Sequence, residues 1–320
     1  CINRISGFNS LEGEPLAREC AYLFPGQGSQ YVGMGRQLYE EFPVARDAFA
    51  QADDVLGIPL SRLCLEGPSD ALDDTVNTQP AILATSVAAL RVMDGRGGAA
   101  PDYVAGHSMG EFTALVASGA LSFEETLPLV RERGRLMKRS GEENPGGMAA
   151  VLGLEREPLE EICAAAREET GSYVGVANDN CPGQIVISGA GDALERAMTL
   201  AEARGAKRAI RLPVSIAAHS PLMAEAAASF KEHLNATPLQ EPRIPLVANA
   251  TARPLTDPAA IRDALGRQLT SPVRWTESMA WMIDHGVDRF VEVGPKKVLA
   301  GLLRRIDRSV ERVSTDDLLS

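Results

Sequence analysis

The chain has 320 residues, 45% of them apolar, and a formal net charge of -11. This is an ordinary soluble, globular composition with enough chain for a sizeable core, in one large domain or two unequal ones. The acidic balance argues against a nucleic-acid surface, and no apolar run is long enough to span a membrane.

Residues 1–19 are polar and irregular and read as an arm or linker. Cys20 to Phe24 is a short apolar strand, running into the glycine-rich turn Pro25 to Gln30. Tyr31 to Leu56 has helical spacing with a break at Pro43. Thr78 to Val92 reads as an alanine-rich buried helix with Pro80 in its first turn. A strand over 101–105, a sharp turn around Ser108 and a small-residue helix from Glu111 to Ala120 follow. Ser122 to Lys138 is a further helix, with Ser122 as N-cap and Glu125 completing a capping box.

The pattern then changes. Strand 147–154, helix 157–169, strands 173–177 and 184–188 about a Pro182-Gly183 turn, helix 192–204 and strand 206–214 follow in order. That β-α-β-β-α-β order is a ferredoxin-like unit, bordered by Pro145 and Pro213. Beyond it come helix 221–234, strand 244–249, helices 258–268 and 275–285, and strand 289–293. The expected fold is α/β: an α/β-hydrolase-like parallel-sheet core built from 20–144 and 214–320, with an inserted ferredoxin-like (βαββαβ) subdomain over 145–213.

The most informative stretch is Gly106-His107-Ser108-Met109-Gly110, a G-x-S-x-G spacing between a strand and a helix. The turn pushes the serine hydroxyl outward. A side chain at either glycine would collide with the neighbouring strand or helix. The N–H of Met109 would then face the site at a helix N-terminus, where it can stabilise an oxyanion. The pattern points to acyl transfer through an acyl-serine and does not separate a hydrolase from a transferase.

The histidines are His107, His219, His233 and His285, and no two stand at metal-ligand spacing. Ser108 needs a base, and His219, between a strand and a helix, is placed to reach a cleft. His107 adjoins the serine, but alternation along a strand turns it the other way; His233 and His285 fall on helices as surface residues. Five scattered cysteines (Cys1, Cys20, Cys64, Cys163, Cys181) without a C-x-x-C argue against a disulfide framework or structural zinc and suit a reducing cytoplasm. No secretory leader is evident, and an opening Cys1 in place of methionine is compatible with a trimmed chain or one excised from a longer protein. Two basic clusters, Arg131 to Arg139 and Arg304, Arg305 and Arg308, read mostly as solvated helix faces.

Five blocks in order carry a resemblance over about Ala21 to Arg308: FPGQGSQ at 24–30, GHSMGE at 106–111, RGRLM at 133–137, AAHSPLM at 217–223 and VEVGPKKVL at 291–299. The chain resembles the malonyl-CoA:acyl-carrier-protein transacylase family, including the acyltransferase domains of polyketide synthases. The resemblance implies a Ser108–His219 dyad, with the imidazole oriented by the backbone carbonyl of Gln268. It implies an oxyanion hole from the N–H groups of Gln27 and Met109, and Arg133 as the two-pronged partner of a malonyl carboxylate. Met109, Met137, Ala218 and Asn180 map to the acyl pocket, and Val293-Gly294-Pro295 to its wall. The implied reaction moves a malonyl-type group from coenzyme A to the phosphopantetheine thiol of an acyl carrier protein, in fatty-acid or polyketide synthesis, with no metal and no cofactor. The implied partner is an acidic, transiently bound carrier protein, for which the Arg304–Arg308 cluster is a docking candidate. A single α/β core requires no oligomer, so a monomer is expected.

One position departs from the pattern. Malonyl-selective relatives commonly carry phenylalanine before the histidine, where this chain has Ala218. The open space would admit substituted groups such as methylmalonyl or ethylmalonyl beside malonyl. Two other readings are an editing hydrolase of carrier-protein thioesters and a non-catalytic docking module. Arg133 speaks against the first, and intact Ser108 and His219 against the second.

Overall fold

The computed structural model describes residues 19–97 and 100–319, so the arm expected over 1–19 lies, apart from Glu19, outside the described residues. In chain order the strands are β1 (Glu19–Phe24), β2 (Tyr103–Gly106), β3 (Gly146–Leu152), β4 (Val174–Cys181), β5 (Gln184–Ala190), β6 (Arg208–Arg211), β7 (Leu246–Ala248), β8 (Arg253–Leu255), β9 (Val287–Glu292) and β10 (Glu311–Ser314). They form two sheets, one of order β10-β9-β1-β2-β7-β8 and one of order β4-β5-β3-β6.

The larger sheet is parallel except for β8, which pairs antiparallel with β7 at the edge. Its central strand β1 is apolar from Cys20 to Phe24, and Ala21 to Phe24 are buried because both faces are covered there. Ala21 and Leu23 join Ala105, Val247 and Phe290 in one core, while Tyr22 and Phe24 join Val104, Leu246 and Val291 in the other. This period-two division places helices on both sides. The smaller sheet is antiparallel throughout, and Ala149, Val151, Val176, Ile185 and Ile187 pack there against the helices Arg156–Thr170 and Gly191–Ala203.

The buried helix Thr75–Gly95 begins earlier than its spacing indicates, because the Asp74 side chain accepts the Val76 N–H as N-cap. Pro80 therefore sits inside the helix, not in its first turn. Helix Phe123–Glu143 carries the expected Ser122–Glu125 capping box and runs on past Lys138. Six elements have no counterpart in the sequence reading: the helices Leu60–Glu66, Ser69–Asp73, Val298–Ile306 and Thr315–Leu319, and the strands β8 and β10. Strand β8 carries Pro254, which reads as a strand breaker but is tolerated at a sheet edge.

The sheets are joined along β4. It runs to Cys181, leaving only Pro182-Gly183 as the turn, and register shifts follow Val176 and Asp179. Residue 178 bridges Val273, whose backbone bonds Ala177 and Asp179 at 2.8 and 2.9 Å. Such bulges re-aim side chains, and here Asn178 and Asn180 both face the cleft between the sheets.

Candidate active site

Ser108 stands where β2 meets the helix Gly110–Ser118, with φ at 52°. The left-handed backbone is costly for a side chain and turns the hydroxyl out of the bend. The flanking glycines are required by close approach. A Cβ on Gly106 would come within 1.9 Å of the Gly110 carbonyl carbon, and one on Gly110 within 2.1 Å of the Phe24 carbonyl oxygen. The elbow is buttressed by Asn249, at the end of β7. Its Oδ1 accepts from the Ser108 N–H at 2.7 Å and its Nδ2 donates to the Gly106 carbonyl at 2.6 Å.

His219 also holds a left-handed backbone, with φ at 59°. Its Nε2 lies 2.8 Å from Ser108 Oγ. Nδ1 faces two carbonyls, Gln268 at 2.9 Å and Ser271 at 3.2 Å. Both are acceptors only, so the proton resides on Nδ1 and Nε2 is free to accept the serine proton. Burial, reinforced by the Arg133 charge, pushes the imidazole down to about 3. It is therefore neutral at ordinary pH, the form a base requires.

Arg133, on helix Phe123–Glu143, is 1% exposed. Its Nη2 donates to Ser108 Oγ at 3.1 Å and to Gln268 Oε1 at 2.8 Å, and its Nη1 donates to Gln79 Oε1 at 2.8 Å. The guanidinium lies over the Phe112 ring at 5.6 Å. Burial lowers it to about 10, while the Glu111 carboxylate acts the other way. It stays a cation at neutral pH, held beside Ser108 by neutral oxygen acceptors.

Glu111 is equally enclosed, at 1% exposed. Its Oε1 accepts from the Asn249 N–H at 3.0 Å, and its Oε2 accepts from Gln268 Nε2, which also donates to the Ser108 carbonyl at 3.0 Å. Burial pushes this carboxyl up to about 7, opposed by those two hydrogen bonds and by Arg133.

These groups open into a cleft of about 570 Å³ between the two sheets. Gln27, Met109, Met137, Ala218 and Asn180 all line it with Ser108, Arg133 and His219. Gln268 approaches from behind the dyad. Its floor on the small sheet includes Met148, Ala150 and Val186, while Val298, Leu299 and Leu302 form another wall. The wall expected from Val293 to Pro295 is thus supplied a few residues later, by the helix Val298–Ile306. Gly294 instead packs behind Pro25, where a Cβ would meet that ring at 2.8 Å. His107 bonds Asn180 Oδ1 at 2.8 Å through Nε2 and does not pair with the serine, yet its ring lines the same cleft. Asn180 belongs to β4, not to a turn.

Four site residues escaped the sequence reading: Gln79, Glu111, Asn249 and Ser271. Gln79 had a legible signal, a glutamine inside an otherwise apolar helix, since a buried amide must find partners. It donates to Thr75 Oγ1 at 3.1 Å, which donates to Gln27 Oε1 at 2.9 Å, so Arg133 and the Gly-rich loop share one chain of bonds. The basic clusters resolve differently. Arg135, Lys138 and Arg139 pair with Glu132, Asp74 and Glu143 on the surface. Arg305 bonds Gln184 Oε1 and the Pro182 carbonyl, tying helix Val298–Ile306 to the small sheet, while Arg304 and Arg308 are exposed. No cluster of three or more potential metal ligands occurs among the described residues. No helix among them is long and apolar enough to cross a membrane.

Comparison with known proteins gives a consistent result. The family model for the acyl transferase domain matches residues 21–320. The malonyl CoA-acyl carrier protein transacylase of Bacillus subtilis (strain 168) is 46% identical over 297 residues, 93% of each chain. That of Escherichia coli (strain K12) is 44% identical over 286 residues, covering 89% of this chain and 92% of the relative. Among solved structures, an acyl carrier protein S-malonyltransferase from Vibrio cholerae superposes with a TM-score of 0.91 at 44% identity, over 94% of this chain and 100% of the other. A malonyl-transacylase solved in complex with its type II PKS acyl-carrier protein gives 0.90 at 42% identity, over 92% and 95%.

Proposed function

The chain belongs to the acyl transferase domain family, and from that premise we propose that it carries a malonyl group from coenzyme A, through an ester on Ser108, to the phosphopantetheine thiol of an acyl carrier protein. The observation that carries this reading is the buried Arg133 guanidinium 3.1 Å from the nucleophile. A serine hydrolase of simple acyl chains gains nothing from such a cation. A malonyl group needs one there, because its carboxylate lies two carbon–carbon bonds beyond the carbonyl that Ser108 attacks.

In the first half-reaction Ser108 Oγ attacks the thioester carbonyl and its proton passes to His219 Nε2. The N–H groups of Gln27 and Met109 stabilise the oxyanion. The C–S bond then breaks, and the imidazolium returns its proton to the coenzyme A thiolate. In the second half the carrier-protein thiol gives its proton to His219 and attacks the malonyl ester. The C–O bond breaks and Ser108 is reprotonated. Two thioesters of similar energy are exchanged, so the balance is complete without a metal, nucleotide or redox group. The protein's task is to hold the acyl-serine away from water, which the apolar cleft and the arginine anchor serve.

All the groups invoked come from one chain, in keeping with a monomer. In this reading residues 20–144 and 214–320 form the catalytic core, and 145–213 the small subdomain that walls the cleft. We propose the cytoplasm as the compartment, where coenzyme A thioesters and carrier proteins meet. The free thiols of Cys20, Cys64, Cys163 and Cys181 accord with it.

The test is intact-protein mass spectrometry after mixing with equal malonyl-, methylmalonyl-, ethylmalonyl- and acetyl-CoA, with Ser108→Ala as control. A malonyl adduct that a carrier protein discharges is expected. An acetyl adduct in its place would remove Arg133 from its role, and rapid release of free acid would make the protein a hydrolase.

A further inference from the structure

Glu111 is a buried carboxylate that the reaction does not use. Enclosing a charge is expensive, and an apolar side chain at such a place costs less unless the charge has work to do. Here it has two partners. Asn249 N donates to one oxygen and Gln268 Nε2 to the other. Asn249 in turn holds the Ser108 elbow, and Gln268 holds both His219, through its carbonyl, and Arg133, through Oε1.

The orientation of the Gln268 carboxamide is the point at issue. It could face Arg133 with either end, but only the oxygen accepts from a guanidinium; the NH₂ end would oppose donor to donor. In its ionised form, the one both hydrogen bonds favour, Glu111 accepts at both oxygens, draws Nε2 to itself and leaves Oε1 for Arg133. We propose that Glu111 is a positioning residue for carboxylate recognition, setting the Gln268 carboxamide and through it holding the Arg133 guanidinium at the nucleophile. The inference rests on the malonyl-transfer reading above.

Glu111→Gln separates this role from a merely structural one. The shape is kept, but a carboxamide has one acceptor oxygen for two donors, so an NH₂ must face Asn249 N or Gln268 Nε2. In the second case Gln268 is driven to flip against Arg133. Initial rates of Ser108 acylation from malonyl-CoA and from acetyl-CoA are measured in the wild type, Glu111→Gln, Arg133→Ala and the double variant, with melting curves as folding controls. The expected result is a loss of roughly tenfold or more in kcat/KM for malonyl-CoA, with acetyl-CoA changed by less than about threefold. In the Arg133→Ala background the same change should cost less than about threefold, the non-additivity of residues acting through one another. Glu111→Asp keeps both acceptors and should restore part of the malonyl preference; if Glu111→Gln does not fold, it carries the test by the same readouts. Equal loss for the two acyl groups, or equal loss in both arginine backgrounds, overturns the inference alone. A wild type that takes acetyl as readily as malonyl overturns the malonyl reading and the inference with it.

Discussion

Arg133 Nη2 and Ser108 Oγ lie 3.1 Å apart, so the cation we propose as the acyl carboxylate's partner also touches the atom we propose as the nucleophile. Its bond to the hydroxyl leaves the serine proton directed at His219, 2.8 Å away. Recognition and attack are thus set by a single spacing.

Removing the cation should change which acyl group is taken. Arg133→Ala is expected to lower kcat/KM for malonyl-CoA by about 3 kcal/mol or more, roughly 10²-fold, while acetyl-CoA is retained or improved. Competition between the two coenzyme A esters, read as adduct masses on Ser108, checks it. An unaltered malonyl preference would refute the assignment.

The buried imidazole has a consequence for stability. His219 is held down to about 3 in the fold, against about 6.5 in an unfolded chain. Between those values the unfolded state binds a proton that the folded state refuses, so stability is lost as pH falls through that window, by about 1.4 kcal/mol per pH unit. His219→Asn should therefore gain on the wild type as pH drops from 6.5 toward 4. Urea midpoints at several pH values measure this, and parallel curves for the two proteins would sink the idea.

Ala218 lines the cleft beside the dyad. Ala218→Phe should disfavour methylmalonyl and ethylmalonyl relative to malonyl, by about 1–3 kcal/mol per excluded carbon. A competition assay with the three esters decides it. An unchanged ratio means that substituent space is set elsewhere in the cleft.

Two glycines make a matched pair for stability. A Cβ on Gly106 meets backbone at 1.9 Å, whereas one on Gly301, exposed in helix Val298–Ile306, meets nothing within 4 Å. Gly106→Ala should lose about 3 kcal/mol or more, or fail to fold. Gly301→Ala should gain up to about 1 kcal/mol. Thermal melts of both variants give the comparison, and a well-folded Gly106→Ala would contradict the strand–helix packing described here.

Much of the architecture was legible because the signals are local. Alternating apolar faces, the Ser122–Glu125 capping box and the glycine spacing about Ser108 each act over a few residues. Ser108, His219 and Arg133 could be picked out by motif blocks, and the structure brings all three within hydrogen-bonding reach of one another or of Gln268. What stayed hidden is what depends on distant partners. Glu111 stands in the sequence only as the start of a small-residue helix, and its contacts appear once Asn249 and Gln268 are seen against it. Asn180 falls outside both strands read from the sequence, because the stretch that extends β4 is bonded to Val273, far along the chain. Pro80 misled for a different and local reason, since the Asp74 cap starts the helix three residues before Thr78.

Ser108 and His219 are separated by 111 positions, and the entire small sheet lies between them. A ribosome delivers the serine on its elbow well before the base that activates it exists. Until β3 to β6 have been made and the chain has returned to the core, Ser108 has no imidazole to accept its proton. Placing the insertion between the two proposed proton-transfer partners means that a chain ending within it would hold the serine without its base.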